Sequence, residues 1–362
     1  MNRVYLLFKM LSFREIILKT FHILFLNAIL IGGFANAQQA LIPRDEFGNP
    51  DFNGYWNFND STPFERPIEF GNKEFLSETE FQQKLAARVE EAQQRVAREV
   101  NLVDEVISVP TINPGAYNSF WSYYKDGFPN KRTSIIVSPL NGRLPQISDA
   151  LIQLSPPHAN GCNNPATVPL KRPVRISFGA ITCDRPEDFG LSTRCLLFPQ
   201  TTGPYIKANS YNNNLQIVVT KDFAVLYSEL GNDPRIVPLD DSPFLDQRIQ
   251  TWTGSSRGRW DGDILTVETR HFHPQMASVF MRNKALGSAE DMVLIEKFSL
   301  INSDSLAYEF VLSDPSTFDS EIKGIVNFSR LDGIIYEFAC HEGNYALPNM
   351  LRAARISEIQ SY

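Results

Sequence analysis

Residues 292–328 read MVLIEKFSLINSDSLAYEFVLSDPSTFDSEIKGIVNF, Met292 to Phe328. Apolar runs at Met292–Ser299, Leu306–Leu312 and Ile322–Phe328 are of strand length and are separated by short segments of Asn, Ser, Asp and Pro. Helices need longer periodic runs than these, so the stretch predicts successive antiparallel strands joined by tight connections. The same rhythm extends upstream through Gln216–Thr220, Ala224–Ser228, Arg235–Leu239 and Ile264–Thr269, and downstream to Ile334–Ala339. Trp260-Asp261-Gly262-Asp263 and Leu331-Asp332-Gly333 supply hairpin turn residues. A meander of this length removes its exposed edges most simply by closing into a barrel.

Nearer the start, Asp51-Phe52-Asn53-Gly54-Tyr55-Trp56 contains a G-x-W, which resembles the first strand of lipocalin-like barrels. The expected fold is mainly β, an antiparallel lipocalin-like barrel with peripheral helices and a disulfide-stapled loop region. One helix is expected near 77–100: Ser77-Glu78-Thr79-Glu80 is a capping box, and Phe81, Leu85, Val89, Ala92 and Val96 follow at helical spacing. A second is expected over 344–361, with Leu347, Leu351, Ala354 and Ile356 on its apolar side. Residues 107–202 are rich in Pro, Gly and Asn and read as a loop-rich insertion around the barrel mouth.

Residues 1–37 have the make-up of a secretory signal. Arg3, Lys9, Arg14 and Lys19 precede an apolar run from Phe21 to Phe34, which ends in Ala35-Asn36-Ala37, a small-x-small cleavage pattern. Residues 38–362 then form a single barrel domain, expected in the periplasm or outside the cell. Its formal charge, already −7 for the whole chain, becomes more acidic without the basic leader, which argues against a nucleic-acid partner. No later stretch is long and apolar enough to span a membrane, and the oligomeric state is not readable.

The 4 cysteines are Cys162, Cys183, Cys195 and Cys340, and three pairings are possible. In an oxidising compartment we expect Cys162 with Cys183 and Cys195 with Cys340; a reduced, nucleophilic Cys340 is the alternative. The second bridge would close a long loop, worth roughly 5 kcal/mol by chain entropy.

Several blocks together resemble a broad family of exported bacterial proteins of unassigned activity: Arg132–Pro145, Arg194-Cys195-Leu196, Asn213–Leu239, Trp252–Phe272, Tyr308–Pro315 and the Tyr-Glu-Phe-Ala-Cys-His-Glu-Gly-Asn-Tyr block at Tyr336–Tyr345. The resemblance implies that Cys195 and Cys340 pair, leaving Cys162 and Cys183 as a separate bridge. It also places Asn where this chain has His271, which counts against a metal site on His271, His273 and His341, and no cofactor or metal is expected.

Candidate chemistry centres on that C-terminal block. Were Tyr336–His341 a strand, Glu337 and His341 would share one face and Tyr336, Phe338 and Cys340 the other. With Glu309 in a similar Tyr-Glu-Phe setting, this is the composition of an acid/base site: His341, Glu337 and Glu309 as catalytic groups. Arg248, Trp252, Arg257 and Trp260, with Arg259 close by, offer guanidinium forks and indole faces to an anionic or cyclic substrate. Glu296, Glu342 and Asn344 complete the binding set. The expected function is an exported enzyme doing metal-independent acid/base chemistry, of isomerase, lyase or cyclase type, on a small organic substrate in the barrel. Two alternatives stand beside it: a periplasmic binding protein for a hydrophobic or aromatic molecule, and a serine hydrolase using Ser256 of Gly254-Ser255-Ser256-Arg257-Gly258.

Overall fold

The computed structural model describes residues 42–106, 130–154 and 174–360, apart from 200, 210, 232, 282 and 283. The expected signal segment, Cys162 and residues 107–129 and 155–173 of the expected insertion lie outside the described residues. Residues Ile42–Tyr362 make one compact unit.

That unit is built on strands β1 (Gly54–Asn57), β2 (Ile136–Ser138), β3 (Ile152–Leu154), β4 (Asn214–Val219), β5 (Phe223–Ser228), β6 (Arg235–Pro238), β7 (Ser255–Asp261), β8 (Ile264–Arg270), β9 (Val279–Met281), β10 (Lys284–Leu286), β11 (Val293–Asn302), β12 (Ser305–Ser313) and β13 (Ile322–Arg330). A 10-stranded antiparallel sheet runs β6-β5-β4-β1-β13-β12-β11-β8-β7, with β2 also paired to β13; β3, β10 and β9 form a separate 3-stranded sheet. The large sheet curls into a nearly closed barrel, as its two end strands meet. Gly258 on β7 lies so close to β6 that a Cβ there would stand 2.9 Å from Val237 Cγ1 and 2.6 Å from Leu239 Cδ2. The Arg257 guanidinium crosses the same seam, donating to the carbonyl oxygens of Ser242, at 2.9 Å, and Pro243.

Period-two alternation in the sequence becomes inside and outside of the barrel. Leu294, Glu296, Phe298 and Leu300 of β11 point inward, as do Leu306, Tyr308, Phe310 and Leu312 of β12. Side chains fill the described interior: Tyr205 stacks on Phe310 at 4.5 Å and on Phe64 at 5.7 Å, and Tyr308 stacks on Phe328 at 5.3 Å. The G-x-W also has a clear role. Trp56 is fully buried, donates to the Phe52 carbonyl at 2.9 Å and carries Arg330 over its ring at 4.3 Å. Gly54, at φ 126°, leaves room for that guanidinium, since a Cβ would lie 2.7 Å from Arg330 Nη1.

Helix α1 (Glu78–Val106) begins at the expected box: Glu80 N–H donates to Ser77 Oγ at 3.3 Å, and Ser77 N–H to Glu80 Oε2 at 2.7 Å. Its barrel-facing side differs from the expected apolar stripe. Among its described side chains Glu80, Phe81, Lys84, Leu85, Arg88 and Ala92 are partly buried, whereas Val89 is 59% exposed, and Val96 lies outside the described side chains. Helix α2 (Ala346–Gln360) packs Leu347, Met350, Leu351 and Ala354 on Ala180, Cys183 and Phe189, and leaves Ile356 exposed where burial was expected.

The expected strand at Ile334–Ala339 does not form. After β13, both edges of β1 are occupied, by β4 and β13, so the chain cannot pair there. It leaves the sheet at Asp332-Gly333 and runs as an extended tether. The tether is held by Tyr336 N–H to Glu229 Oε1 at 3.2 Å, by the edge contact of Phe338 on Phe198 at 5.2 Å, and by the Cys195–Cys340 disulfide. Among the described residues no cysteine is free.

Candidate functional site

Helix α1 and the barrel meet along a cleft of about 390 Å³ whose walls carry Asp60, Phe64, Lys84, Arg88, Glu91 and Lys207. Asp60 lies in the turn after β1, in Asn59-Asp60-Ser61-Thr62, where its Oδ1 accepts the Thr62 N–H at 2.8 Å. That i to i+2 bond is the turn chemistry expected of Asp. Asn130 Nδ2 closes the site from the other side, at 3.1 and 3.0 Å from the two Asp60 oxygens and 2.8 Å from Thr62 Oγ1. Asp60 is only 6% exposed. Burial raises its pKa above the usual aspartate value, opposed by the Thr62 hydrogen bonds and by the Lys84 charge.

The opposite wall is helical. Lys84 and Arg88 are one turn apart and share the barrel-facing side. Arg88 Nη1 donates to Ser61 Oγ at 2.9 Å, which joins the helix to the Asp60 turn. Burial lowers the Lys84 pKa, and the neighbouring Asp60 partly offsets this.

Lys207 enters from the barrel side. Tyr205 and Ile206 before it are buried: the Tyr205 ring is stacked between Phe64 and Phe310, and Ile206 N–H donates to Tyr308 Oη at 2.9 Å. The Lys207 ammonium therefore has a fixed stem, and its Nζ stands 5.2 Å from the Phe64 ring centroid. Burial pushes its pKa from the ordinary 10.5 to about 8. Neither Lys84 nor Lys207 has a hydrogen-bond or ion-pair partner among the described residues. The cleft thus combines an acid that holds its proton more tightly than usual with amines that hold theirs more loosely.

The sequence-expected site residues do not come together. Glu309 is exposed on the outer face of β12, opposite Lys297, because it is out of phase with the inward Tyr308 and Phe310. Glu337, His341 and Glu342 are exposed on the tether and its following turn. Asn344 anchors the chain: its Nδ2 donates to the Thr193 carbonyl at 2.9 Å, and its Oδ1 receives the Leu347 N–H at 3.4 Å at the start of α2. Glu296 does face inward, but its carboxylate is bound by Arg235 at 2.7 and 2.9 Å and by Tyr308 Oη at 2.8 Å. No family model, curated protein or solved structure matches this chain.

The arginine and tryptophan cluster is likewise dispersed. Arg248 pairs with Asp246 at 2.8 Å on the surface, and Arg259 is 3.4 Å from Asp261. Trp252 stacks on His273 at 4.1 Å, and Trp260 on Phe52 at 5.6 Å. His273 Nδ1 accepts the Gln275 N–H at 3.1 Å, and burial followed by the Arg175 and Arg194 charges lowers its pKa. His271, at φ 58°, ends the strand and sets its ring edge-on to Phe244 at 6.1 Å. Among the described residues no cluster has the make-up of a metal site. Ser256 sits within β7, opposite Thr269, with its buried hydroxyl 2.9 Å from Thr269 Oγ1, so G-x-S-x-G makes no strand-to-helix elbow here.

Sequence reading passed over Asp60, Lys84, Arg88 and Lys207. The one local signal was the pair of cations at i and i+4 beside Phe81 and Leu85, a polar line on the side of the helix that packs.

Proposed function

We propose that this is an exported protein, periplasmic or secreted, that takes a small organic anion into the cleft between α1 and the barrel and moves protons on it. The reading is carried by the opposite displacement of Asp60 and Lys207 within one cleft, the arrangement by which an acid and a base are brought towards a common working pH. Lys84 and Arg88 favour an anionic guest, and Phe64 offers an apolar wall to its carbon skeleton. The isomerase or lyase type of chemistry expected from the sequence is kept, and the residues that would carry it are moved from the C-terminal block to this cleft.

The test is a thermal-shift screen of small carboxylates, sulfonates and phosphate esters against the wild type and Lys84→Gln, followed by NMR of any binder in D2O. A compound that stabilises the wild type and not the variant places the guest in the cleft. Exchange of one of its C–H protons marks an enzyme; binding without exchange marks a binding protein, the second reading. Absence of any cleft-dependent binder sinks both.

A further inference from the structure

We infer that Lys207 is a covalent nucleophile, and that the cleft takes small 2-oxo acids as imines on its amine. The inference rests on the proposed cleft reading and adds a substrate class to it. Three features of the site converge on it. Lys207 lines the cleft and has no hydrogen-bond or ion-pair partner among the described residues, so no ion pair has to be broken before its amine attacks. Nζ sits beside the Phe64 ring and out of bulk water, and desolvation there favours the neutral amine that a nucleophilic lysine needs. The cations Lys84 and Arg88 line the same cleft and supply the charge for a carboxylate next to the carbonyl.

The chemistry balances with the groups of the cleft. The neutral Lys207 amine adds to the carbonyl carbon; the C–N bond forms as the carbonyl π bond opens, and an amine proton passes to the new oxygen to give a carbinolamine. Asp60, in equilibrium with its protonated form and biased towards it by burial, then delivers a proton to that hydroxyl, directly or through water. Water leaves, the iminium remains, and Asp60 is left as a carboxylate able to take a proton from the adjacent carbon. No oxidant, reductant or further reactant is required. An iminium is an electron sink for loss of a neighbouring proton or cleavage of a neighbouring bond, which suits the isomerase or lyase type.

Reductive trapping tests this. Wild-type protein is incubated separately with pyruvate and with 2-oxoglutarate in the presence of cyanoborohydride at pH 8, then digested and mapped. Lys207 at pH 8 should carry roughly a hundredfold more neutral amine than an ordinary lysine, so the reduced adduct is expected to concentrate on the Lys207 peptide. Lys207→Arg, which keeps the charge but has no primary amine, should lose it. Label spread evenly over surface lysines with both acids overturns the inference, and the wild-type map alone decides this should the variant fail to fold. If trapping is unselective but pyruvate or 2-oxoglutarate still raises the melting midpoint of the wild type and not of Lys84→Gln, the cleft reading survives without the imine. If neither occurs with either acid, the 2-oxo acid assignment falls altogether, and the general cleft reading is decided by the wider screen.

Discussion

Arg235 and Glu296 form a two-pronged ion pair inside the barrel, Nη1 to Oε2 at 2.7 Å and Nη2 to Oε1 at 2.9 Å, with the two side chains 7% and 0% exposed. Tyr308 completes it: burial, followed by the Glu296 charge, raises its pKa far enough that the hydroxyl stays protonated and donates to the carboxylate. This arrangement joins β6, β11 and β12 across the interior.

Removing one member leaves the other charge buried and uncompensated. Glu296→Gln should therefore destabilise the protein by about 3–5 kcal/mol, whereas the double change Arg235→Met with Glu296→Leu should recover most of that loss. Urea unfolding of the wild type, Arg235→Met, Glu296→Leu and the double variant closes the cycle and measures the coupling directly. A double variant as weak as Glu296→Gln would refute the account of the pair as a satisfied polar island.

Lys207 gives stability a pH dependence of definite sign. Below pH 8 the folded chain bears the cost of enclosing a charged amine. Between about 8 and 10.5 the amine is neutral in the folded chain and still protonated in the unfolded one, so this group makes stability rise with pH across that window. Lys207→Met should raise the melting midpoint at pH 7 and flatten the rise between pH 8 and 10.5, as scanning calorimetry across pH will show.

The Cys195–Cys340 bond spans 145 residues of sequence and ties the C-terminal tether to the barrel. Replacing both cysteines by serine should cost roughly 5 kcal/mol on the chain-entropy model. It should also speed hydrogen exchange at Tyr336, whose N–H is held by Glu229. An unfolding midpoint unchanged from the wild type would show that side-chain contacts hold the tether without the bridge.

Ser77 sets the start of the helix that carries Lys84 and Arg88. Ser77→Ala should cost about 1 kcal/mol through loss of the cap. His341→Gln and Glu337→Gln, on the exposed tether, should leave binding in the cleft unchanged in calorimetric titration. If either abolished binding, the cleft assignment would give way to the C-terminal block.

The barrel was legible because strand burial is written locally, in alternation; Leu294 to Leu300 and Leu306 to Leu312 declare their inner faces without any partner. The capping box at Ser77 and Glu80 is equally local. The tether was misread because Ile334 to Ala339 has strand composition, but strand formation needs a free edge, and only the completed sheet shows that β1 has none. The Cys-His-Glu-Gly-Asn-Tyr block looked chemical because it mixes ionisable groups, whereas in the structure Cys340 and Asn344 anchor chain and helix, and His341 and Glu342 are exposed. The cleft was unreadable for the opposite reason. Asp60, Lys84 and Lys207 lie on a turn, a helix and a barrel-side segment, and only long-range packing brings them together.

The most direct test of the central claim is competitive acetylation of the amines over a pH series, read peptide by peptide, with and without a mixture of small carboxylates that includes pyruvate, 2-oxoglutarate and citrate. The account predicts that Lys207 titrates near pH 8, well below the surface lysines, and that at least one of these anions protects it. A Lys207 that titrates with the surface lysines and reacts equally with and without the anions would contradict it.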